Sequence, residues 1–243
     1  MTKNGTIWGV GLGPGDPELM SVKADRLLRQ ASHVAFFRKA GRTGQARQIL
    51  GTMLRSDVVE IAMEYPVTTE IPLTDPRYNQ ILSAFYTESA ERLRALSRKG
   101  LDVIIVSEGD PYFYGSFMHL YTRLRDDCPI EVVPAITGMS AAWTATAEPV
   151  TWGDDVMTTL MGTLPQETLV TQMKQADALI IMKIGRNIDK IRAALREAGR
   201  FEAAWLVEYA SMPNQTVQKL SDAEGKVTPY FSIIIVHGQG RRP

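Results

Sequence analysis

The chain is poor in the residues that most directly announce chemistry. It has one cysteine, Cys128, and three histidines in 243 residues. A lone cysteine excludes an intramolecular disulfide and fits a reducing compartment. Cys128 stands beside Pro129 before an apolar run, with no cluster of His, Asp and Glu at ligand spacing nearby, and reads as a buried, inert thiol. His33 and His237 fall in apolar stretches and His119 follows "GSFM"; no spacing suggests a metal site, so no metal is expected. Net charge is missing too. Lys+Arg and Asp+Glu both number 27, so no global field favours nucleic acid or an anionic membrane, and neither is expected as a partner. No apolar run approaches the roughly 18 residues of a membrane span. The start, "MTKNGTIWGVG", lacks the apolar core and cleavage site of a signal peptide. A cytoplasmic location is expected.

What is present is a regular alternation of short apolar, β-branched runs with helical patterns. Strands are expected at Thr6–Val10, His33–Phe37, Val58–Ala62, 101–107 ("LDVIIVS") and 130–134 ("IEVVP"), with a helix over Val22–Ala31. The clearest helix starts at "DPRYNQIL": Asp75 caps it, Pro76 suits its first position, and Gly100 suits the position just past its end. The run 101–107 is apolar throughout, as a strand covered on both faces must be. This alternation implies an α/β fold, a mostly parallel sheet with helices on both faces. The character changes after about residue 138. A small-residue helix ("SAAWTATA") is followed by expected strands at Val156–Met161, Ala178–Met182, Trp205–Tyr209 and Tyr230–Val236, with helices near Gln166–Ala176 and Ile188–Ala198. The expected organisation is therefore an N-terminal α/β domain over 1–138 and a smaller α/β domain with a mixed sheet over 139–243.

Two loops stand out, and both contain Gly-Asp-Pro after an apolar strand: "GVGLGPGDP" (9–17) and "SEGDPYFYGS" (107–116). The first is not a dinucleotide fingerprint. G-x-G-x-x-G read from Gly9 requires glycine where Pro14 stands, and read from Gly11 where Asp16 stands. The second strand ends "FFRK", with no carboxylate for a ribose, and no Gly-Lys-Ser/Thr marks a P-loop. Pro14 has no N–H and Asp16 puts a carboxylate where a phosphate would sit. The plainer reading is a tight strand-to-helix turn, with Asp16 capping and Pro17 opening the helix. The second loop lies at the C-terminal end of the central strand, where open α/β sheets bind ligands. Gly109 allows close backbone approach, Asp110 can cap a helix or accept hydrogen bonds from a ligand, and Tyr112, Phe113 and Tyr114 offer flat apolar walls.

Together, "VGLGPGDPELMSVKA" (10–24), "EGDPYFYG" (108–115), "VPAITGMSAA" (133–142) and "VEYASMPNQ" (207–215) resemble the tetrapyrrole (corrin/porphyrin) methylases, in the family's order and across essentially the whole chain. The resemblance implies the two-domain class III methylase fold, with S-adenosyl-L-methionine as methyl donor bound between the domains, a tetrapyrrole acceptor and a homodimer. Carried over by position, it implies that Pro14 lies near the donor and that Glu108, Gly109, Asp110 and Phe113 line its site. Thr137 and Gly138 take the place of a donor-contacting pair. Met182 or Lys183 falls where many relatives have Tyr-Met, and Ala210 falls where they have glycine. Within the family, "FFRKAGRTGQARQI" (36–49), "MEYPVTTE" (63–70) and "IIMKIGRN" (180–187) resemble members that methylate precorrin-2 at C20, giving precorrin-3A on the way to cobalamin.

The chemistry agrees. The donor is a sulfonium cation without phosphate, which suits a loop of glycines, proline and carboxylates. A tetrapyrrole carries many carboxylates and needs cations. No Asp or Glu occurs from Arg26 to Ser56, while Arg38, Lys39 and Arg42 follow the second strand at the ligand edge; with Tyr112 they are the candidate acceptor contacts. An electron-rich meso carbon needs no protein nucleophile, so catalysis is expected to rest on proximity, with a base taking the proton afterwards. The candidates for that base are Asp110, Glu108 and Tyr65, with Glu64 beside them. The alternatives are methylation at C2/C7 or C11, or of a cobalt-bound substrate. From other classes come a nicotinamide-dependent oxidoreductase and a non-catalytic binding module.

Overall fold

A strand that returns after a helical crossover enters its sheet parallel, and the first half of the chain repeats that step. The computed structural model describes residues 3–68, 71 and 75–242. The chain falls into two compact units, Met1–Thr137 and Gly138–Pro243.

In the first unit the elements are β1 (Ile7–Gly11), α1 (Val22–Gln30), β2 (His33–Lys39), α2 (Gln45–Leu50), β3 (Val59–Tyr65), α3 (Pro76–Arg98), β4 (Val103–Ser107), α4 (Phe117–Leu124) and β5 (Ile130–Val133). The strand order is β3-β2-β4-β1-β5, parallel at every pairing. All five residues of β4 are buried, which explains its unbroken apolar run. Alternate residues feed two cores. Ile7, Ala35, Ile61, Val103 and Ile105 meet Tyr86, Leu93, Phe117 and Leu120 of α3 and α4; Val10, Val34, Phe36, Ile104 and Val106 meet Ala24, Leu28, Ala46 and Ile49 of α1 and α2. The sheet is thus covered on both faces, as the alternation implied.

The caps of α3 are as the sequence sets them: Asp75 accepts from the Arg77 N–H at 2.9 Å, Pro76 opens the helix, and Gly100 follows Lys99 at φ +78°. The entry to α1 differs. Asp16 caps a single 3₁₀ turn, Pro17–Leu19, accepting from the Glu18 N–H at 2.9 Å. Met20 is then extended, and Ser21 caps α1 by accepting from the Ala24 N–H at 3.2 Å. The helix therefore opens in two steps, because Met20 breaks the helical run that Asp16 and Pro17 begin.

The second unit contains α5 (Gly138–Ala145), β6 (Met157–Met161), α6 (Gln166–Gln175), β7 (Ala178–Met182), α7 (Ile188–Glu197), β8 (Ala204–Glu208), β9 (Thr216–Lys219) and β10 (Ser232–Val236). Its sheet, ordered β6-β7-β10-β8-β9, is mixed: β6 and β7 run parallel and the remaining pairs antiparallel. Helices α6 and α7 cover one face; α5 contributes Ala141 and Ala142 to a smaller cluster with Ile180, Val207, Ala210 and Ile235. Among the described residues, no helix is long and apolar enough to cross a membrane, and no three His, Cys, Asp or Glu side chains group as metal ligands. Cys128 is a buried free thiol.

Candidate active site

The C-terminal ends of neighbouring parallel strands bring their following loops together, and here three loops are tied to one another. The chain after β1 meets the chain after β4 in an isolated bridge: the Gly109 N–H donates to the Gly13 carbonyl at 2.8 Å, and the Leu12 N–H to the Ser107 carbonyl at 2.9 Å. Glycine is needed for the approach. A Cβ on Gly11 would stand 2.5 Å from the Ala135 Cβ and 2.6 Å from the Gly109 carbonyl oxygen. Gly109 has φ +63°, which a side chain rarely adopts. The third loop, after β5, is held by Asp110. One carboxylate oxygen accepts from the Tyr112 N–H at 2.9 Å and the other from the Ala135 N–H at 3.0 Å.

The geometry leaves no bed for a pyrophosphate in the first loop. A dinucleotide site uses the free N–H groups at a helix start, whereas Asp16 and Ser21 already accept from that segment. Pro14 is buried. Donors of this kind are occupied and carboxylates stand nearby, an environment that suits a cation better than an anion.

Glu108 lies on the α2 side of the sheet. Its Oε1 accepts from the Ala46 N–H at 3.0 Å, 62 residues away in sequence. The residue keeps contact with solvent yet is crowded by protein; desolvation pushes its carboxyl above the ordinary range, opposed by its own N–H and that of Ala46. Tyr112 is 45% exposed and leans on α4, its ring 5.1 Å from Tyr121 and 5.9 Å from Phe117. Burial and the Tyr121 hydroxyl push its phenol up to about 12. Phe113 is half-buried against Tyr114 at 4.7 Å.

Tyr65, at the end of β3, stacks on Phe37 at 5.5 Å. Its hydroxyl bonds to the Ser116 Oγ, which also accepts from the Tyr86 hydroxyl at 3.0 Å. That hydroxyl cluster was not legible in the sequence, because its members are 51 and 30 residues apart. The segment 63–70 singled out above runs past the described residues at Thr69 and Glu70.

The basic stretch is less bare than its composition suggests. Parallel pairing sets Arg38 opposite Glu64, and the two form an ion pair at 2.6 Å. Arg47 pairs with Glu60 through two bonds of 2.7 and 2.9 Å. The missing acids are supplied by β3, so a window with no Asp or Glu was not a window without negative partners. Aligning "FFRK" with "AMEY" in register finds the first of these acids, Glu64, opposite Arg38. Arg42 is exposed, in a turn closed by its N–H on the Lys39 carbonyl at 3.0 Å. With Phe36, Arg38, Thr43, Arg47 and Glu60 it lines a recess of about 550 Å³.

In the second unit, Met182 ends β7 and packs with Ala210 in the cluster under α5, which Gly138 begins. Lys183 is exposed at φ +53°. Non-glycine residues in the left-handed region are uncommon and gather at functional sites. Of the five among the described residues, Tyr114, Lys183, Tyr209 and Ser211 each lie within or beside a candidate motif, and Ala147 lies elsewhere. A recess of about 430 Å³ at the other end of these strands, lined by Glu148, Trp205, Lys219 and His237 among others, contains none of the sequence-predicted residues.

Comparison with known proteins fits this arrangement. The model of the family described as Tetrapyrrole (Corrin/Porphyrin) Methylases matches residues 6–224. The chain is 44% identical over 239 residues to a precorrin-2 C(20)-methyltransferase of Sinorhizobium sp, covering 98% of each. It is 40% identical over 242 residues to the cobalamin biosynthesis protein CobIJ of Mycobacterium tuberculosis, covering all of this chain and 48% of that one. A uroporphyrin-III C-methyl transferase from Thermus thermophilus, solved in complex with S-adenyl homocysteine, shares the fold at a TM-score of 0.68 and 22% identity, covering 96% of this chain and 97% of that one.

Proposed function

The chain belongs to the tetrapyrrole (corrin/porphyrin) methylases, and from that premise we propose that it transfers the methyl group of S-adenosyl-L-methionine to C20 of precorrin-2, giving precorrin-3A for cobalamin biosynthesis. The observation that carries the choice of acceptor is the 44% identity, over 98% of both chains, to a precorrin-2 C(20)-methyltransferase. The tied loops after β1, β4 and β5 supply the donor site, through Pro14, Glu108, Gly109, Asp110, Phe113 and Thr137. Gly138, Met182, Lys183 and Ala210 are the proposed donor contacts in the second unit. Under the same reading the enzyme is a cytoplasmic homodimer that needs no metal of its own.

In the transfer, a carbon–methyl bond forms at the electron-rich meso carbon as the sulfur–methyl bond breaks, and the sulfonium becomes a neutral thioether. The protein's part is to hold the two reactants in line and to exclude water. Arg38, Lys39 and Arg42, with Tyr112, receive the acceptor. Solvent-facing ion pairs are worth only about 0–1 kcal/mol, so a substrate carboxylate can displace Glu64 from Arg38 at little cost and find the guanidinium already oriented. The proton left on the methylated carbon then passes to a base. Asp110 has both oxygens committed to backbone N–H groups, which leaves Glu108, Tyr65 and, once the acceptor has displaced it from Arg38, Glu64. Desolvation raises the Glu108 carboxyl, which makes it a stronger base than an ordinary carboxylate.

The test is turnover of precorrin-2 with methyl-labelled donor under anaerobic conditions, the methyl group being located by carbon NMR. A single new methyl at C20 is expected. A methyl at C2, C7 or C11, or turnover of the cobalt-bound substrate alone, overturns the choice of acceptor; no turnover of any reduced tetrapyrrole overturns the enzyme reading.

A further inference from the structure

Helix α2 begins with a defect that its own sequence cannot repair. The first N–H groups of a helix have no partner within it and are usually served by a Ser, Thr, Asp or Asn at the cap. Here the cap is Gly44, at φ +84° and with no side-chain bond to the helix. A side chain is not admissible there. A Cβ on Gly44 would stand 2.6 Å from the Phe37 carbonyl oxygen and 3.1 Å from the Arg38 Cβ, because the loop folds back on the end of β2. The Ala46 N–H, on a residue that is almost fully buried, is instead satisfied by the Glu108 carboxylate from the loop after β4.

That bond joins two parts of the proposed site. Residues 39–46 form the turn carrying Lys39 and Arg42 and run into α2, where Arg47 follows. Glu108 opens the Gly-Asp-Pro loop, whose Gly109 is bridged to Gly13 and whose Asp110 holds the loop after β5. The described hydrogen bonds therefore run from the donor loops through one carboxylate to the segment that bears the cations.

We propose that Glu108 is a positioning residue for the acceptor-binding segment: by capping α2 from across the sheet it sets the order of residues 39–46, so that the donor loop governs how firmly the enzyme holds its polycarboxylate acceptor. The link to the donor rests on the function proposed above; the cap itself does not. Oε1 serves Ala46, and a donor that engages Glu108 stiffens the cationic segment before the tetrapyrrole arrives. Ordered binding, donor first, is the kinetic consequence.

The experiment compares the full chain with its Glu108→Gln and Glu108→Ala variants. The amide side chain of glutamine keeps an oxygen that can accept from Ala46; alanine keeps none. Amide hydrogen exchange of the free proteins is read first. In Glu108→Ala the Ala46 N–H is expected to exchange about tenfold faster or more, as befits a lost charge-assisted bond, while amides in α1 and α3 are unchanged. Glu108→Gln is expected to restore most of the protection. Binding of precorrin-2 in the presence of S-adenosyl-homocysteine is expected to weaken about tenfold in Glu108→Ala and little in Glu108→Gln. Unchanged exchange at Ala46 in Glu108→Ala overturns the proposal, as does loss of protection spread evenly through the unit, or a glutamine variant as fast as the alanine one. Calorimetry of the unaltered protein with S-adenosyl-homocysteine separates the two claims: failure to bind removes the donor reading, while the exchange data still decide whether Glu108 caps α2.

Discussion

The chain contains Gly-Asp-Pro twice, at 15–17 and at 109–111, and the two copies do different work. Asp16 and Asp110 make the same local bond, each accepting from the N–H two residues ahead, at Glu18 and at Tyr112. At Asp110 the second oxygen also reaches the Ala135 N–H, 25 residues further on. The difference comes from strand order. β4 lies beside β1, and β1 beside β5, so the loop after β4 can reach the loop after β5. The tripeptide encodes the turn at both places, and the strand order lets the second one also hold the loop after β5.

The comparison can be broken by removing each carboxylate. Asp110→Ala leaves two backbone N–H groups unserved and is expected to cost about 3 kcal/mol, on a range of 1.5–3 kcal/mol for bonds to charged groups. Asp16→Ala loses a helix-type cap and is expected to cost about 1 kcal/mol. Urea denaturation measures both, and equal losses would show that the second copy is no more of a clamp than the first.

A subtler effect sharpens the contrast between Asp110 and its neighbour Glu108. Desolvation raises the Glu108 carboxyl in the folded chain. A carboxyl whose folded value lies above its unfolded one favours folding at pH below the unfolded value, and that contribution is lost as pH rises through the folded value. Glu108→Gln removes the ionisation and keeps an acceptor for Ala46. Its Tm is therefore expected to match that of the unaltered protein near about pH 4, where a free glutamate is half protonated, and to exceed it increasingly as pH rises through the raised folded value. A Tm difference that shrinks or reverses as pH rises would contradict the direction of the shift. Glu108→Gln would then be more stable and less active, the signature of a residue kept for function.

Much of the fold was legible because its determinants are local. The cap, first position and terminal glycine of α3 stand in the sequence as Asp75, Pro76 and Gly100, and the apolar run of β4 announces a strand with two covered faces. Helices α2 and α4 and strand β9 escaped the sequence reading. α2 has six residues and a glycine cap, α4 has eight and a Ser116 that makes no capping bond, and β9 is a four-residue edge strand with little buried surface. Each owes its stability to tertiary partners, which propensity and periodicity do not record. The candidate site divides along the same line. The Gly-Asp-Pro loops could be read from their residue types; the Arg38–Glu64 and Arg47–Glu60 pairs, the Ser116 hydroxyl cluster and the cap from Glu108 to Ala46 exist only once strands are in register and loops meet.

Under the proposed function these loops hold a phosphate-free cationic donor, and the second Gly-Asp-Pro is the closer contact. Calorimetry of the unaltered protein, Asp16→Ala and Asp110→Ala with S-adenosyl-homocysteine and with NAD tests it most directly. The account predicts that S-adenosyl-homocysteine binds the unaltered protein and Asp16→Ala with affinities within about threefold, that Asp110→Ala binds at least about tenfold more weakly, and that NAD gives no binding heat. Binding of NAD in place of S-adenosyl-homocysteine, or a loss in Asp16→Ala as large as in Asp110→Ala, would contradict it.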